Sequence, residues 1–222
     1  ENVVPWGRLF EEYQAMFSLT ESDLAGRILG CGDGPAGFNA EATRRGFAVT
    51  SCDPIYQFNA AQIRARVTEI YPEMNRQLAQ NLDGFVWTYF KAPEEVSATR
   101  LKAMEVFLED FETGLEQGRY QVASLPTLPF EDHSFDLALC SHFLFLYSDQ
   151  FDSQFHLDSV LELCRVAREV RIFPLLALGS KPSPHLDYVM EQAQQRGYEV
   201  TLERVNYEFQ RGGHTMLKVK RG

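Results

Sequence analysis

Short apolar runs alternate with segments of helical periodicity along most of this chain. A strand in a parallel sheet is a nearly continuous apolar run, because helices cover both of its faces. The alternation of such runs with helices predicts a mostly parallel sheet in an α/β fold. The predicted strands lie at about 27–31, 47–52, 119–123, 135–140 and 169–173.

The end of the chain has a different pattern, in which two strand-like runs follow each other with no helix between them. These runs cover 198–207 and 214–220, and the loop at 210–213 that joins them contains two glycines. A glycine-containing connection of this length predicts a β-hairpin. The hairpin would add an antiparallel strand to the sheet.

Two helical segments lie outside the regular alternation. The first is an N-terminal capping segment over 6–24, in which apolar side chains share one face at helical spacing and Thr20 with Asp23 resembles a capping pair before a further short helix. The second is the stretch 58–118, which is much longer than the single helix that usually connects two parallel strands. Two amphipathic helical faces flank an aromatic-rich segment there, which predicts a helical insertion within a single domain of residues 1–222.

A glycine-rich loop follows the first predicted strand, and an acid ends the second. The loop is Gly30-Cys31-Gly32-Asp33-Gly34, and the acid is Asp53. Glycine allows close approach of the backbone to a ligand, and a following helix N-terminus directs N–H groups towards it. A carboxylate at the end of the next strand can accept hydrogen bonds from both hydroxyls of a ribose. The pattern predicts a nucleoside site, although an acid before Pro54 is also typical of a simple turn.

The spacing of the glycines does not identify the nucleoside, since Gly32, Gly34 and Gly37 also fit the G-x-G-x-x-G pattern of NAD sites. The sequences ILGCGDG (28–34) and LPFEDHSFDLALCSH (128–142) decide the matter. Together they resemble class I S-adenosylmethionine-dependent methyltransferases, and the resemblance covers about 25–57 and 118–222. The terminal hairpin agrees with this family, whereas NAD-binding domains lack it.

The resemblance implies a Rossmann-like methyltransferase fold with a seven-stranded, mostly parallel sheet, a C-terminal antiparallel hairpin strand and S-adenosyl-L-methionine as cofactor. Two features depart from the family: 28–30 contains no carboxylate, and Ser124 stands where an acid often meets the adenine. The residues that the resemblance and the loop together indicate for cofactor binding are Tyr13, Gly30, Cys31, Gly32, Asp53, Pro54, Ser124, Leu125 and Ser141.

His142 is the candidate catalytic residue, because it follows the fourth predicted strand at the sheet edge where α/β proteins bind ligands. An unperturbed imidazole has a pKa near 6.5, which suits removal of a proton at neutral pH. Packing against the donor without proton transfer is the alternative role. The histidines and cysteines have no spacing typical of a metal site, so no metal is expected.

Composition excludes some partners. The formal net charge is −10, and this argues against nucleic acid, since phosphate contacts require clustered Lys and Arg. No run of 18 apolar residues exists, so no membrane span is expected. The four cysteines form no C-x-x-C pair, which favours a reducing, cytoplasmic location.

The sequence therefore predicts methyl transfer to a small-molecule acceptor. The segment Ser141-His142-Phe143-Leu144 is closer to small-molecule methyltransferases that resemble quinone and metabolite modifiers than to enzymes with an N-P-P-Y segment. Two alternatives remain: a catalytically inactive module that binds the same cofactor, and a methyltransferase acting on protein or RNA. The sequence leaves open the acceptor, the methylated atom and the oligomeric state.

Overall fold

The computed structural model describes residues 6–222, which form a seven-stranded sheet with the strand order β3-β2-β1-β4-β5-β7-β6. The strands are β1 Arg27–Cys31, β2 Ala48–Cys52, β3 Tyr120–Gln121, β4 Phe135–Ser141, β5 Ala167–Phe173, β6 Tyr198–Arg204 and β7 Thr215–Arg221. The helices are α1 Phe10–Phe17, α2 Glu21–Leu24, α3 Phe38–Arg44, α4 Ala60–Gln80, α5 Pro93–Glu116, α6 Ser153–Val166 and α7 Leu186–Gln195.

The sheet confirms the fold class that the sequence predicts. Strands β1 to β5 pair in parallel, and β7 inserts antiparallel between β5 and β6 as the second arm of the hairpin. This is the mostly parallel sheet with a C-terminal antiparallel hairpin strand that the methyltransferase resemblance implies. The strand β3 is shorter than predicted because it is an edge strand that pairs only with β2, over two residues.

The register of the three central strands fixes where a ligand can bind. Cys31 at the end of β1 lies opposite Cys52 at the end of β2 and Cys140 near the end of β4. The loops that follow these strands therefore leave the sheet side by side. Open α/β sheets bind ligands at this carboxyl edge.

Both faces of the sheet are buried. One face packs against α6 and α7 through a core that includes Val160, Leu163 and Val189. The other face packs against α1 and α3 through a core that includes Met16 and Phe38. Because both faces are covered, β1 and β4 are apolar along almost their whole length, which explains why the sequence pattern reveals them.

The N-terminal segment predicted over 6–24 contains two helices, and the second begins at the capping pair that the sequence indicates. Residue Ser18 has a φ of 48° and ends α1, and Thr20 with Asp23 forms a capping box that begins α2. The chain from Trp6 to Leu9 is not helical and passes over the glycine-rich loop. A Cβ atom on Gly7 would lie 2.0 Å from the carbonyl oxygen of Pro35, so only glycine allows this close crossing.

Two long helices, α4 and α5, form most of the stretch 58–118 between β2 and β3. A buried ion pair joins α5 to α1: Arg100 Nη1 donates to Glu12 Oε2 over 2.6 Å, and both side chains are at most 2% exposed. The hydroxyl of Tyr207 donates to the other oxygen of Glu12. Within residues 6–222, no helix combines the length and apolar character that a membrane crossing requires.

Replacing Arg100 by methionine removes the partner of a carboxylate that is almost fully buried. We expect Arg100→Met to lower the free energy of unfolding by about 3–5 kcal/mol, because it breaks a buried ion pair and removes the charged hydrogen bond from Arg100 to Glu12. Urea unfolding followed by circular dichroism measures this change. Arg76→Met removes the exposed partner of Glu73 and should change the free energy of unfolding by less than about 1 kcal/mol. Equal effects of the two substitutions would contradict the role of the buried pair.

Candidate functional site

A cavity of about 760 Å³ lies at the carboxyl edge of β1, β2 and β4. Its volume is within the range of about 300–1,000 Å³ that is usual for small-molecule sites. Nine of the ten residues that the sequence singles out line this cavity, namely Tyr13, Cys31, Gly32, Asp53, Pro54, Ser124, Leu125, Ser141 and His142. The tenth, Gly30, does not line it.

The loop after β1 is held in a conformation that requires glycine. Gly32 and Gly34 have φ angles of 70° and 56°, in the left-handed region. The amide of Gly32 donates to the carbonyl oxygen of Cys52, 2.9 Å away, which joins the loop to the end of β2. A Cβ atom on Gly32 would lie 3.1 Å from the side chain of Phe143, which follows β4. The loop therefore packs tightly between two strand ends.

Gly30 is required for a different reason from the one predicted. A Cβ atom at this position would lie 1.8 Å from Oδ2 of Asp33, so the carboxylate of Asp33 occupies the space of a side chain on residue 30. The structure therefore places an acid close to where the methyltransferase resemblance implies one, although 28–30 contains none. This acid comes from three residues further along the chain.

Asp33 is a functional candidate that the sequence analysis missed. Its carboxylate is 6% exposed and lines the cavity. Tyr13 donates to Oδ1 over 2.7 Å, and the hydroxyl of Ser51 donates to Oδ2 over 2.6 Å. Burial is the main cause that raises the pKa of Asp33 to about 6, the two hydroxyls oppose the rise, and the nearby Asp53 adds to it. The signal available in the sequence was an acid inside the glycine loop.

Asp53 both begins a turn before Pro54 and lines the cavity, which are the two roles that the sequence indicates for it. Its Oδ1 accepts from the amide of Ile55 over 2.8 Å and begins the turn Pro54–Gln57, and its Oδ2 accepts from the amide of Gly34 over 2.9 Å. The same carboxylate lines the cavity, and burial raises its pKa. Each carboxylate oxygen keeps a further lone pair that can accept from a ligand.

The environment of His142 differs from the prediction. Burial, followed by the positive charges of Arg8 and Arg100, holds the pKa of His142 well below 6.5. The imidazole is therefore neutral at pH 7, and it is a weaker base than an unperturbed histidine. Its Nδ1 lies 2.9 Å from Oγ of Ser141, and its ring lies edge-on to Phe173. The surroundings of His142 therefore differ from those of the unperturbed imidazole on which the candidate role was based.

Much of the remaining cavity lining comes from the stretch 58–118, which the sequence indicates as a helical insertion beside the donor pocket, and from segments near the two ends of the chain. The end of α4 and the loops at 81–85 and 209–210 provide mostly apolar and amide side chains, and the N-terminal segment adds a tryptophan and an arginine. These residues are Trp6, Arg8, Met74, Gln77, Leu78, Asn81, Phe85, Phe209 and Gln210. Of these, Arg8, Phe209 and Gln210 are far from the glycine loop in the sequence and belong to no motif, so the sequence gives no signal for them. No group of three or more His, Cys, Asp or Glu side chains within 6–222 could hold a metal ion.

Comparison with known proteins places this chain in a family. It is 33% identical to the uncharacterised protein MJ0045 of Methanocaldococcus jannaschii over 222 residues, which is 100% of this chain and 97% of the relative. The chain belongs to the same family as that protein. No family model matches the sequence.

Solved structures with a similar arrangement include three methyltransferases. Magnesium protoporphyrin IX methyltransferase ChlM from Synechocystis PCC 6803, with bound SAM, aligns at a TM-score of 0.48 and 10% identity, over 91% of this chain and 73% of that one. The O-methyltransferase NcsB1 from neocarzinostatin biosynthesis aligns at a TM-score of 0.49 and 13% identity, over 91% of this chain and 51% of NcsB1. A SAM-dependent methyltransferase from Aquifex aeolicus aligns at a TM-score of 0.45 and 14% identity, over 94% of this chain and 92% of that protein.

The raised pKa of Asp33 predicts a pH-dependent stability. A buried carboxyl with a raised pKa stabilises the fold when protonated, and this contribution is complete below about pH 4 and is lost as the pH rises through about 6. The change corresponds to about 3 kcal/mol. Asp33→Asn should remove it, so the variant gains stability relative to the wild type as the pH rises from about 4 to 7. Urea unfolding of both proteins at several pH values measures the difference, and a difference independent of pH would contradict the prediction.

Proposed function

We propose that this protein transfers a methyl group from S-adenosylmethionine to a small molecule bound in the same cavity. The observation that carries the proposal is the pair of carboxylates, Asp33 and Asp53, at the glycine loop. Both are largely buried, both line the cavity, and the pKa of each is raised by burial. An ionised pair in such a place is favourable when a cationic ligand lies beside it.

The same pair of acids disfavours NAD. A pyrophosphate binds to a glycine loop through free backbone N–H groups and a positive potential. In this loop the amide of Gly34 already donates to Asp53, and Asp33 places a carboxylate at its centre. A sulfonium and an ammonium group, both positive, suit this environment better than two phosphates.

The remaining residues fit the other parts of the donor. Asp53 would accept hydrogen bonds from the ribose hydroxyls with its free lone pairs. Pro54 and Leu125 would form an apolar slot for the adenine, and Ser124 would present its hydroxyl to the edge of the base. Tyr13, Cys31, Gly32 and Ser141 would surround the amino-acid end. All of these residues line one cavity at the strand ends.

The donor supplies a methyl group that is activated by its sulfonium, so the chain's own residues mainly provide proximity and alignment. Such alignment can contribute about 7–11 kcal/mol to lowering a barrier. His142 forms the wall at the end of β4 and remains the candidate to accept a proton from the acceptor. As a neutral imidazole it can accept that proton directly, although its lowered pKa limits the driving force.

A small molecule is the proposed acceptor because the space beside the donor is bounded by apolar and amide side chains such as Met74, Phe85 and Gln210. Nucleic acid is not proposed as a partner, and the net charge of −10 supports this view. All four cysteines are buried and free, which supports a reducing, cytoplasmic setting.

Ligand binding tests the cofactor directly. In calorimetric titrations we expect S-adenosylmethionine and S-adenosylhomocysteine to bind and NAD not to bind, since only the first two place positive or neutral groups at Asp33. Binding of NAD in preference to both other ligands would overturn the proposal. Binding of all three with equal affinity would contradict the role of the two acids.

A substitution at Asp53 tests the ribose contact. Asp53→Ala should weaken binding of S-adenosylhomocysteine by at least about tenfold, which corresponds to about 1.4 kcal/mol, because a charged acceptor of two hydroxyls is lost. Asp149→Ala, which removes an exposed acid, serves as the control and should have no effect.

The loss of affinity must come from the ribose and not from the turn that Asp53 also begins. The wild type should bind 5′-methylthioadenosine more tightly than its 2′,3′-dideoxy analogue, and Asp53→Ala should bind the two with equal affinity. Continued discrimination by the variant would show that another group recognises the ribose.

A further inference from the structure

Two arginines lie close together near the inner end of the cavity, and only one acid compensates them. Arg100 pairs with Glu12 and lies beside the rings of Trp6 and Phe90, with its guanidinium carbon 5.5 Å and 5.3 Å from their centroids. Arg8 makes one hydrogen bond, from Nη1 to the carbonyl oxygen of Trp6 over 3.0 Å. It forms no ion pair within the described chain, so one positive charge has no counterion.

The same cluster contains buried donors that have no acceptor. Within residues 6–222, the atoms without a hydrogen-bond partner include Trp6 Nε1, Arg8 Nε, and Nε and Nη2 of Arg100. A buried donor without a partner costs free energy, and a charged donor costs more than a neutral one. Trp6 and Arg8 line the cavity, so their side chains lie beside any ligand that occupies it. The unsatisfied groups all donate, and this is the complement of an anion.

The electrostatic effects on neighbouring groups agree with an excess of positive charge at this place. Burial and the proximity of Arg100 lower the pKa of Arg8. Arg8 and Arg100 both contribute to lowering the pKa of His142. The acids Asp33 and Asp53, at the glycine loop, line the same cavity. The cavity lining thus contains groups of both charges.

We propose that Arg8, with the indole N–H of Trp6, binds a carboxylate of a ligand held in this cavity, and that Arg100 strengthens the positive potential from behind. The guanidinium group suits this task, since its planar donors match the two oxygens of a carboxylate. The inference rests on the proposed function, because it names part of the same site. The carboxylate belongs either to the amino-acid group of the donor or to an acidic acceptor, and the experiment distinguishes these sources.

The test compares wild type, Arg8→Gln and the control Arg76→Gln, which removes an exposed arginine of α4. Three probes are titrated: S-adenosylhomocysteine, 5′-methylthioadenosine, which lacks the amino-acid carboxylate, and benzoate with S-adenosylhomocysteine already bound. Arg8→Gln should leave the affinity for 5′-methylthioadenosine unchanged. It should weaken one carboxylate probe by at least about tenfold, and Arg76→Gln should weaken none.

The identity of the weakened probe gives the source of the carboxylate. Weaker binding of S-adenosylhomocysteine assigns the subsite to the donor, and weaker binding of benzoate alone assigns it to an acidic acceptor. If Arg8→Gln binds S-adenosylhomocysteine and benzoate as the wild type does, the anion subsite is overturned while the proposed function stands. If neither nucleoside binds to the wild type, the proposed function fails, and benzoate titrated alone against wild type and Arg8→Gln then decides the subsite.

Thermal unfolding without ligand separates a binding role from a structural one. Because Arg8 forms no ion pair with another residue of 6–222, Arg8→Gln should melt at the same temperature as the wild type or at a higher one. Saturating S-adenosylhomocysteine or benzoate should then raise the melting temperature of the wild type more than that of the variant. A lower melting temperature of the variant without ligand, with equal shifts by the probes, would show that Arg8 serves the fold and would overturn the proposal.

Discussion

The geometry of the site depends on the burial of the carboxylate of Asp33 above Gly30. Because residue 30 has no side chain, Asp33 can fold back over β1, where Tyr13 from α1 and Ser51 from β2 donate to it. One acid therefore joins three elements that are separate in the sequence. Any larger residue at position 30 would expel the carboxylate and release the hydroxyls of Tyr13 and Ser51.

This arrangement conflicts with the stability of the ligand-free protein. The charge of Asp53 adds to the rise in the pKa of Asp33, and Arg8 forms no ion pair with any other residue of 6–222. Charges that are buried without partners destabilise a fold. Binding sites commonly accept such a cost, because a ligand of complementary charge removes it. Acidic and basic side chains in one cavity lining are thus complementary to a ligand that carries both a positive and a negative group.

The sequence predicts the sheet well because its strands are buried on both faces, and the hairpin because a glycine-containing loop joins two runs without a helix. It predicts the start of α2 from the capping pair Thr20 and Asp23 but not the end of α1, since Ser18 ends that helix by its backbone conformation alone. It also cannot reveal that Tyr13 reaches Asp33, or that Arg8 and Arg100 lower the pKa of His142. Those facts depend on contacts between residues that are far apart in the chain, and they appear only when the helices are packed.

The helices between β2 and β3 connect the stability of the fold with the chemistry of the cavity. Arg100 on α5 holds α1 through Glu12, and α1 carries Tyr13, which orients Asp33. The charge of Arg100 also contributes to lowering the pKa of Arg8 and the pKa of His142. The helix α4, which packs on α5, supplies Met74 and Leu78 to the opposite wall. A change in these helices that alters this wall of the cavity therefore also acts on Tyr13 and Asp33, because the position of α1 depends on its buried ion pair with α5.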